Sequence, residues 1–305
     1  MRILYNIDGV QKIEEKKFPH TMRVPVKFDY PGSSSGPSVR SLVEKSKVHT
    51  VCEESACPNM AHCWSSGTAT FMIMGDLCTR KCKFCNIKTA RPAPLDSEEP
   101  ERLGQAIRDM KVKTAVITSV DRDDLSDCGS AHFAESILSV KKYAPQTRIE
   151  VLIPDFKGKI DNLRRIWDAA PDIINHNVET VPSLYRTICP QSRYELSLEV
   201  LRLSKEQGFL TKSGMILGLG ETLREVHEVM MDLRKAGVDI LTIGQYLPPS
   251  SQHAPLISWI EPEVFYELKS RGYSQGFRHI ESGTLVRSSY HAGEGVIKLL
   301  EKNNS

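Results

Sequence analysis

Between Cys52 and Cys85, 34 residues carry six of the chain's eight cysteines. They form two triplets, Cys52-x4-Cys57-x5-Cys63 and Cys78-x3-Cys82-x2-Cys85, and neither contains the fourth thiol that would close a tetrahedral site. The first twenty residues have too short an apolar run for a signal peptide, and Asp8, Glu14 and Glu15 disfavour an organelle transit peptide. With no run of about 18 apolar residues, no membrane span is expected and a cytoplasmic location is. In a reducing cytosol, clustered thiols are metal ligands or catalytic groups more often than disulfides. Lys plus Arg (40) nearly balance Asp plus Glu (38), which argues against a broad electrostatic claim on nucleic acid or on an anionic membrane.

A Pro/Gly/Ser connector, residues 29–38, separates an arm without clear periodicity from the body of the chain. Apolar runs rich in Ile and Val then recur at 69–75, 114–120, 149–155, 172–179, 214–220 and 240–247. Such runs suit strands covered on both faces. Helical spacing falls between and after them, at 98–110, 130–143, 159–169, 194–207, 222–236 and 261–271, with Thr222 and Glu225 forming a capping-box pattern. Six strand-then-helix units predict an α/β fold with a parallel sheet, curled as an incomplete barrel or open and doubly wound. In both, ligands bind at the carboxyl ends of the strands. That rule gathers Cys78, Cys82, Cys85, Ser119, Asp121, Arg122, Asp155, Glu179, Gly218, Glu221 and Gln245 at one rim.

The C-x3-C-x2-C spacing lets a short loop wrap three thiolates around a cube of iron and sulfide, leaving one iron open for a chelating molecule. Arg80, Lys81 and Lys83 between the ligands are expected to offset the negative charge. "CTRKCKFC", with Phe84 before its last cysteine, resembles the signature loop of the radical S-adenosylmethionine enzymes. The resemblance implies that S-adenosylmethionine chelates the open iron and is cleaved by the reduced cluster to methionine and a 5'-deoxyadenosyl radical. "GMILGLGE", with Gly214, Ile216, Gly218 and Glu221, is similar to the adenine-contacting strand end of the same superfamily. Ser119, Glu179 and Lys212 are further candidates for cofactor contacts, against surface or capping roles.

For the other triplet, the missing ligand could be Cys128, Cys189, a nearby Asn, His or Ser, or a residue from the far end of the chain. The ordered blocks "HTVCEESACPN", "DLCTRKCKFCNI", "TSVDRDDL", "VLIPDF", "NHNVET", "SGMILGLGE", "GQYLPPS" and "RSSYHA" closely resemble the lipoyl synthases over residues 40 to 295. That resemblance implies a partial (β/α)6 TIM-like barrel over 66–275. An arm with the auxiliary-cluster segment would occupy 1–65, and a C-terminal extension 276–305. It implies two 4Fe-4S clusters, the second held by Cys52, Cys57, Cys63 and Ser289, with Arg287 close by. The reaction implied is insertion of two sulfurs, drawn from the auxiliary cluster, at C6 and C8 of an octanoyl group on a lysine of a lipoyl carrier domain, a step of lipoate biosynthesis. Partners would be octanoylated 2-oxoacid dehydrogenase E2 subunits or the glycine cleavage H protein, with flavodoxin or ferredoxin as one-electron reductant. A methylthiotransferase, a biotin-synthase-like enzyme and a non-enzymatic redox protein are the alternatives. Two positions depart from the family: Cys128 stands where a glycine is usual and Cys189 where an arginine is, and both read as spare thiols.

Overall fold

The computed structural model describes residues 2–7, 10–15, 46, 48–54, 57, 59–65 and 68–289. Strands β1 (Arg2–Ile7) and β2 (Val10–Glu15) pair antiparallel. They lie in the stretch expected to lack regular structure, although Asp8-Gly9 between them is a hairpin dipeptide.

The main sheet holds β3 (His49–Thr50), β4 (Thr68–Ile73), β7 (Thr114–Ser119), β8 (Arg148–Leu152), β9 (Ile173–Asn175), β10 (Leu210–Leu217), β11 (Ile240–Gln245) and β12 (His279–Gly283). Short strands β5 (Leu77–Cys78) and β6 (Lys88–Thr89) form a separate parallel pair. Two short helices, α1 (Val51–Glu54) and α2 (Met60–Ser65), precede β4. Later in the chain come helices α3 (Glu99–Asp109), α4 (Ser130–Tyr143), α5 (Ile160–Asp168), α6 (Tyr185–Ile188), α7 (Tyr194–Glu206), α8 (Leu223–Lys235) and α9 (Pro262–Ser274). From β4 to β12 every neighbouring pair is parallel and in chain order, while β3 runs antiparallel along β4. The two edge strands, β3 and β12, do not pair, so the sheet is an unclosed barrel of six β/α units completed by a seventh parallel strand.

Strand periodicity explains why the apolar runs are nearly continuous. In β7, Ala115 and Ile117 enter the helix-covered core, while Val116 and Thr118 face an inner cavity. In β11, Leu241 and Ile243 pack outward, and Thr242 and Gly244 face in. The capping box of α8 forms as expected, with Thr222 and Glu225 each accepting from the other's backbone N–H. Burying Leu103 and Ile107 of α3, Phe133 and Ile137 of α4 and Leu163 and Ile166 of α5 fixes these helices on the outer face.

Two strands differ from expectation. The run 172–179 contributes only Ile173–Asn175, because the chain then bulges: the Val178 and Glu179 N–H groups both donate to the Gly214 carbonyl, and Glu179 has φ 60°. The strand expected at 214–220 begins at Leu210, since polar Thr211, Lys212 and Ser213 are fully buried. Lys212 Nζ meets both carboxylate oxygens of Glu150, at 2.9 and 3.0 Å, and Asn175 Nδ2 donates to Glu150 at 2.8 Å. This inward-facing cluster forms the floor of the barrel. Lys212→Met strands a buried carboxylate and should lower stability by about 3–5 kcal/mol, whereas Lys212→Met with Glu150→Gln should recover most of the loss in denaturant titrations.

Candidate active site

The cysteine loop after β4 is fastened to the barrel rim by its own backbone. Thr79 N–H donates to the Asp121 carbonyl (3.1 Å), Lys83 N–H to the Ile188 carbonyl (2.8 Å), and Ala254 N–H to the Lys83 carbonyl (2.8 Å). His253 Nε2 lies 3.1 Å from the Cys85 carbonyl oxygen. At the centre is Arg80, 6 % exposed. Its guanidinium makes a two-pronged contact with Asp155 (2.6 and 2.8 Å) and another with Asp123 (2.8 and 3.1 Å), and lies 3.4 Å from Asp121.

That geometry distinguishes the basic residues of the loop. Three carboxylates already face Arg80, while Lys81 and Lys83 are exposed. The Cys78 sulfur accepts from the N–H of Arg80 (3.4 Å) and the N–H of Asp121 (3.3 Å), and its thiol points to the Asp121 carboxylate at 3.8 Å. Burial pushes Asp121 up to about 6 despite the opposing pull of Arg80.

Cys78, Cys82 and Cys85 all line one cavity of about 620 Å³. Burial and the charges around them raise Cys78 to about 11 and Cys85 to about 12. Thiols in such surroundings stay protonated until a cation lowers their pKa, as iron does. Among the described residues no three His, Cys, Asp or Glu side chains converge on a single metal ion. Three free thiols around one cavity, with backbone N–H groups behind a sulfur, suit a larger iron–sulfur cluster. The same cavity is lined by Ser119, Asn175 and Asn177, and Ser119 Oγ, Asn175 Oδ1 and Asn177 Oδ1 are buried without a protein partner. Unsatisfied polar atoms facing a cavity call for a polar ligand.

The structure sorts the other candidates. Phe84 and Glu179 line the cavity; burial lifts Glu179 to about 7. Lys212, Gly218 and Glu221 do not line it. Lys212 is locked to Glu150, and Glu221 accepts from the N–H groups of Gly218 (2.5 Å) and Leu219 (3.0 Å), which shapes the turn after β10. Gly218 has φ 107°, and a Cβ there would sit 2.5 Å from the Ser258 carbonyl oxygen.

The first triplet approaches the same space. Cys52 and Cys57 line the cavity together with Arg287, Ser288 and Ser289; Cys63 is buried and does not line it. Asn59 Nδ2 donates to the Leu285 carbonyl at 2.6 Å, joining the triplet's segment to the turn after β12. That turn lies so close to β11 that a Cβ on Gly244 would collide with the Val286 carbonyl oxygen. Burial lowers the pKa of Arg287, and Cys57 opposes the shift. Of the two spare thiols, Cys128 packs in the hydrophobic core with φ 53°, a conformation that explains a usual glycine, whereas Cys189 lines the cavity. His253, Asn175 and Asn177 were not singled out in the sequence; they lie in polar stretches whose facing depends on the bulge and on the loop after β11.

Residues 72–244 match the model of the Radical SAM superfamily. The lipoyl synthase of Leptospira interrogans serovar Lai is 48 % identical over 94 % of this chain and 95 % of its own length. The mitochondrial lipoyl synthase of Nematostella vectensis is 50 % identical, covering 93 % of this chain and 99 % of that one. The chain belongs to the lipoyl synthase family. As a lipoyl synthase family member it is a sulfur-inserting radical enzyme with a 4Fe-4S cluster and S-adenosylmethionine. Fold similarity reaches beyond the family: methylornithine synthase aligns with a TM-score of 0.53 at 14 % identity over 87 % of this chain and 91 % of its own. Streptococcus suis SuiB bound to S-adenosylmethionine aligns with a TM-score of 0.56 at 10 % identity over 74 % of this chain and 54 % of that one. Among the described residues no helix is long and apolar enough to cross a membrane.

The electrostatics of this rim can be tested at two positions. Lysine cannot bridge three carboxylates as a guanidinium does, so Arg80→Lys should reduce the iron retained per chain after anaerobic reconstitution. His176 lines the cavity with Nδ1 2.8 Å from the Ile153 carbonyl oxygen and Nε2 3.0 Å from Ser197 Oγ, and burial lowers its pKa. Below pH about 6.5 the unfolded chain takes up a proton that native His176 resists, so stability falls with pH there. His176→Gln should flatten that fall in urea midpoints measured between pH 5 and 7.5.

Proposed function

We propose that the chain inserts two sulfur atoms, at C6 and C8, into an octanoyl group carried on the lysine of a lipoyl domain, using a second 4Fe-4S cluster as the sulfur source. The observation that carries this reading is one cavity walled by Cys78, Cys82 and Cys85 on one side and by Cys52, Cys57 and Ser289 on another. An unactivated methylene cannot be deprotonated at neutral pH, so its functionalisation requires a radical and a sulfur donor within bonding distance. When bound at the signature loop, the cluster and S-adenosylmethionine supply that radical.

The chain's own residues have separable tasks. Cys78, Cys82 and Cys85 would hold the first cluster, and Ser119, Asn175, Asn177 and Glu179 offer polar groups to the cofactor, with Phe84 as an apolar wall. Cys52, Cys57, Cys63 and the Ser289 oxygen would hold the second. Ser289 would be a hard oxygen ligand among soft thiolates, a weaker match to sulfide-rich iron than a fourth thiolate. Arg287, half-buried in the same cavity lining, places a positive charge beside Cys57. The apolar lining from Val116, Leu152, Leu247 and Val286 suits an acyl chain and excludes water from the radical. The lipoyl domain would be that of a 2-oxoacid dehydrogenase E2 subunit or the H protein, and flavodoxin or ferredoxin would deliver the electron.

Anaerobically reconstituted chain should bind about eight irons, two cubanes, and add two sulfurs to an octanoylated carrier peptide. Converting Cys52, Cys57 and Cys63 together to alanine should leave about four irons and active cleavage of S-adenosylmethionine but abolish sulfur insertion; insertion that survives would overturn the reading. Ser289→Cys should keep both clusters and suppress transfer, measured as mass gain on the peptide.

A further inference from the structure

We infer that Asn59 is a positioning residue for the second cluster: its side-chain amide ties the turn carrying Ser289 to the thiol triplet, so that the serine oxygen and the thiolates converge. The inference rests on Cys52, Cys57, Cys63 and Ser289 being that cluster's ligands. Asn59 lies between Cys57 and Cys63, is 7 % exposed, and donates from Nδ2 to the Leu285 carbonyl at 2.6 Å across 226 residues of chain. Its own carbonyl accepts from Cys63 N–H at 2.9 Å. The rest of the triplet is bonded to the same stretch of backbone, Cys57 N–H donating to the Cys52 carbonyl (2.9 Å) and Met60 N–H to the Cys57 carbonyl (3.2 Å). A displacement of Asn59 is therefore passed to the segment that carries all three thiols.

The turn at the other end of the bond is constrained as well. Val286 N–H donates to the Gly283 carbonyl at 3.1 Å, and Arg287 Nη1 donates to the Val286 carbonyl at 2.7 Å. Val286 is buried, and its carbonyl lies where a Cβ on Gly244 would be. Strand β11 gives the turn its seat; the Asn59 amide, bonded four residues before Ser289, fixes that seat against Cys52 and Cys57, which share the cavity lining with Ser289. Residue type separates this role from a local one. Asn59 immediately precedes α2, where an asparagine side chain commonly caps the helix through its oxygen. Capping needs only an acceptor, which Asp or Ser supplies equally, whereas the bond to Leu285 uses the amide donor. Partners that orient a metal ligand from behind cost about 10–100-fold in metal affinity or activity when lost.

The test uses Asn59→Asp and Asn59→Ser in the full chain, each keeping an oxygen for the helix and lacking an amide that reaches Leu285. In the cluster-free protein, hydrogen–deuterium exchange at the Val286 N–H should quicken about tenfold in both variants. Exchange as slow as in the wild type would overturn the inference. After anaerobic reconstitution, the Mössbauer spectrum of each variant should shift towards that of Ser289→Ala, and sulfur insertion should fall about 10–100-fold while cleavage of S-adenosylmethionine keeps its wild-type rate. Adding Ser289→Ala to either variant should cost nothing further, because both substitutions remove the same contact. Losses that add, or a loss of cleavage along with insertion, would show Asn59 supporting the barrel at large and would overturn the inference. A Ser289→Ala spectrum identical to that of the wild type would remove the ligand assignment and the inference with it, whereas unchanged exchange strikes the tie alone.

Discussion

A buried guanidinium facing three carboxylates sets the geometry of this protein's rim. Arg80 belongs to the cysteine loop, Asp121 and Asp123 come after β7, and Asp155 after β8. Removing a charge from water is costly unless it is paired with good geometry, and a guanidinium with two forked partners meets that condition. The loop therefore cannot choose its position independently of the sheet: moving it by an ångström would break charge-assisted bonds to two different strands. Three sulfurs proposed to share one cluster would need that rigidity.

The barrel interior extends the same logic downward. Its inward positions near the rim are polar and partly unsatisfied, as at Ser119, Asn175 and Asn177, while its floor is closed by the Lys212–Glu150 pair. The floor ion pair is fully buried, and Asn175 donates to the same Glu150 carboxylate. The outer face is ordinary core, with Leu, Ile, Val and Phe from strand and helix interlocking. Function and stability thus occupy alternate residues of the same strands.

Much of this was legible in the residues alone. The six β/α units and the capping box at Thr222 can be read from periodicity and capping chemistry, whereas the place of Ser289 beside Cys52 and Cys57 was implied only by the family resemblance. The features that escaped did so for physical reasons. Strand β12 reads His-Ile-Glu-Ser-Gly, too polar to announce itself, and exists because β11 offers it a parallel edge. Lys212 reads in the sequence as a candidate cofactor contact; its partner, Glu150, lies 62 residues away on another strand. Arg80 looked like a counter-charge for sulfur because its aspartates are remote in sequence. Long-range pairing of buried charges leaves no local periodic trace.

The contact of Val286 with Gly244 and the bond from Asn59 to the Leu285 carbonyl bear on how the protein is made. Cys52 and Cys57 leave the ribosome more than 200 residues before Arg287 and Ser289, yet they share a wall with them. A wall shared by residues so far apart in the chain is complete only once nearly the whole polypeptide has been made, so its early and late halves must wait for one another.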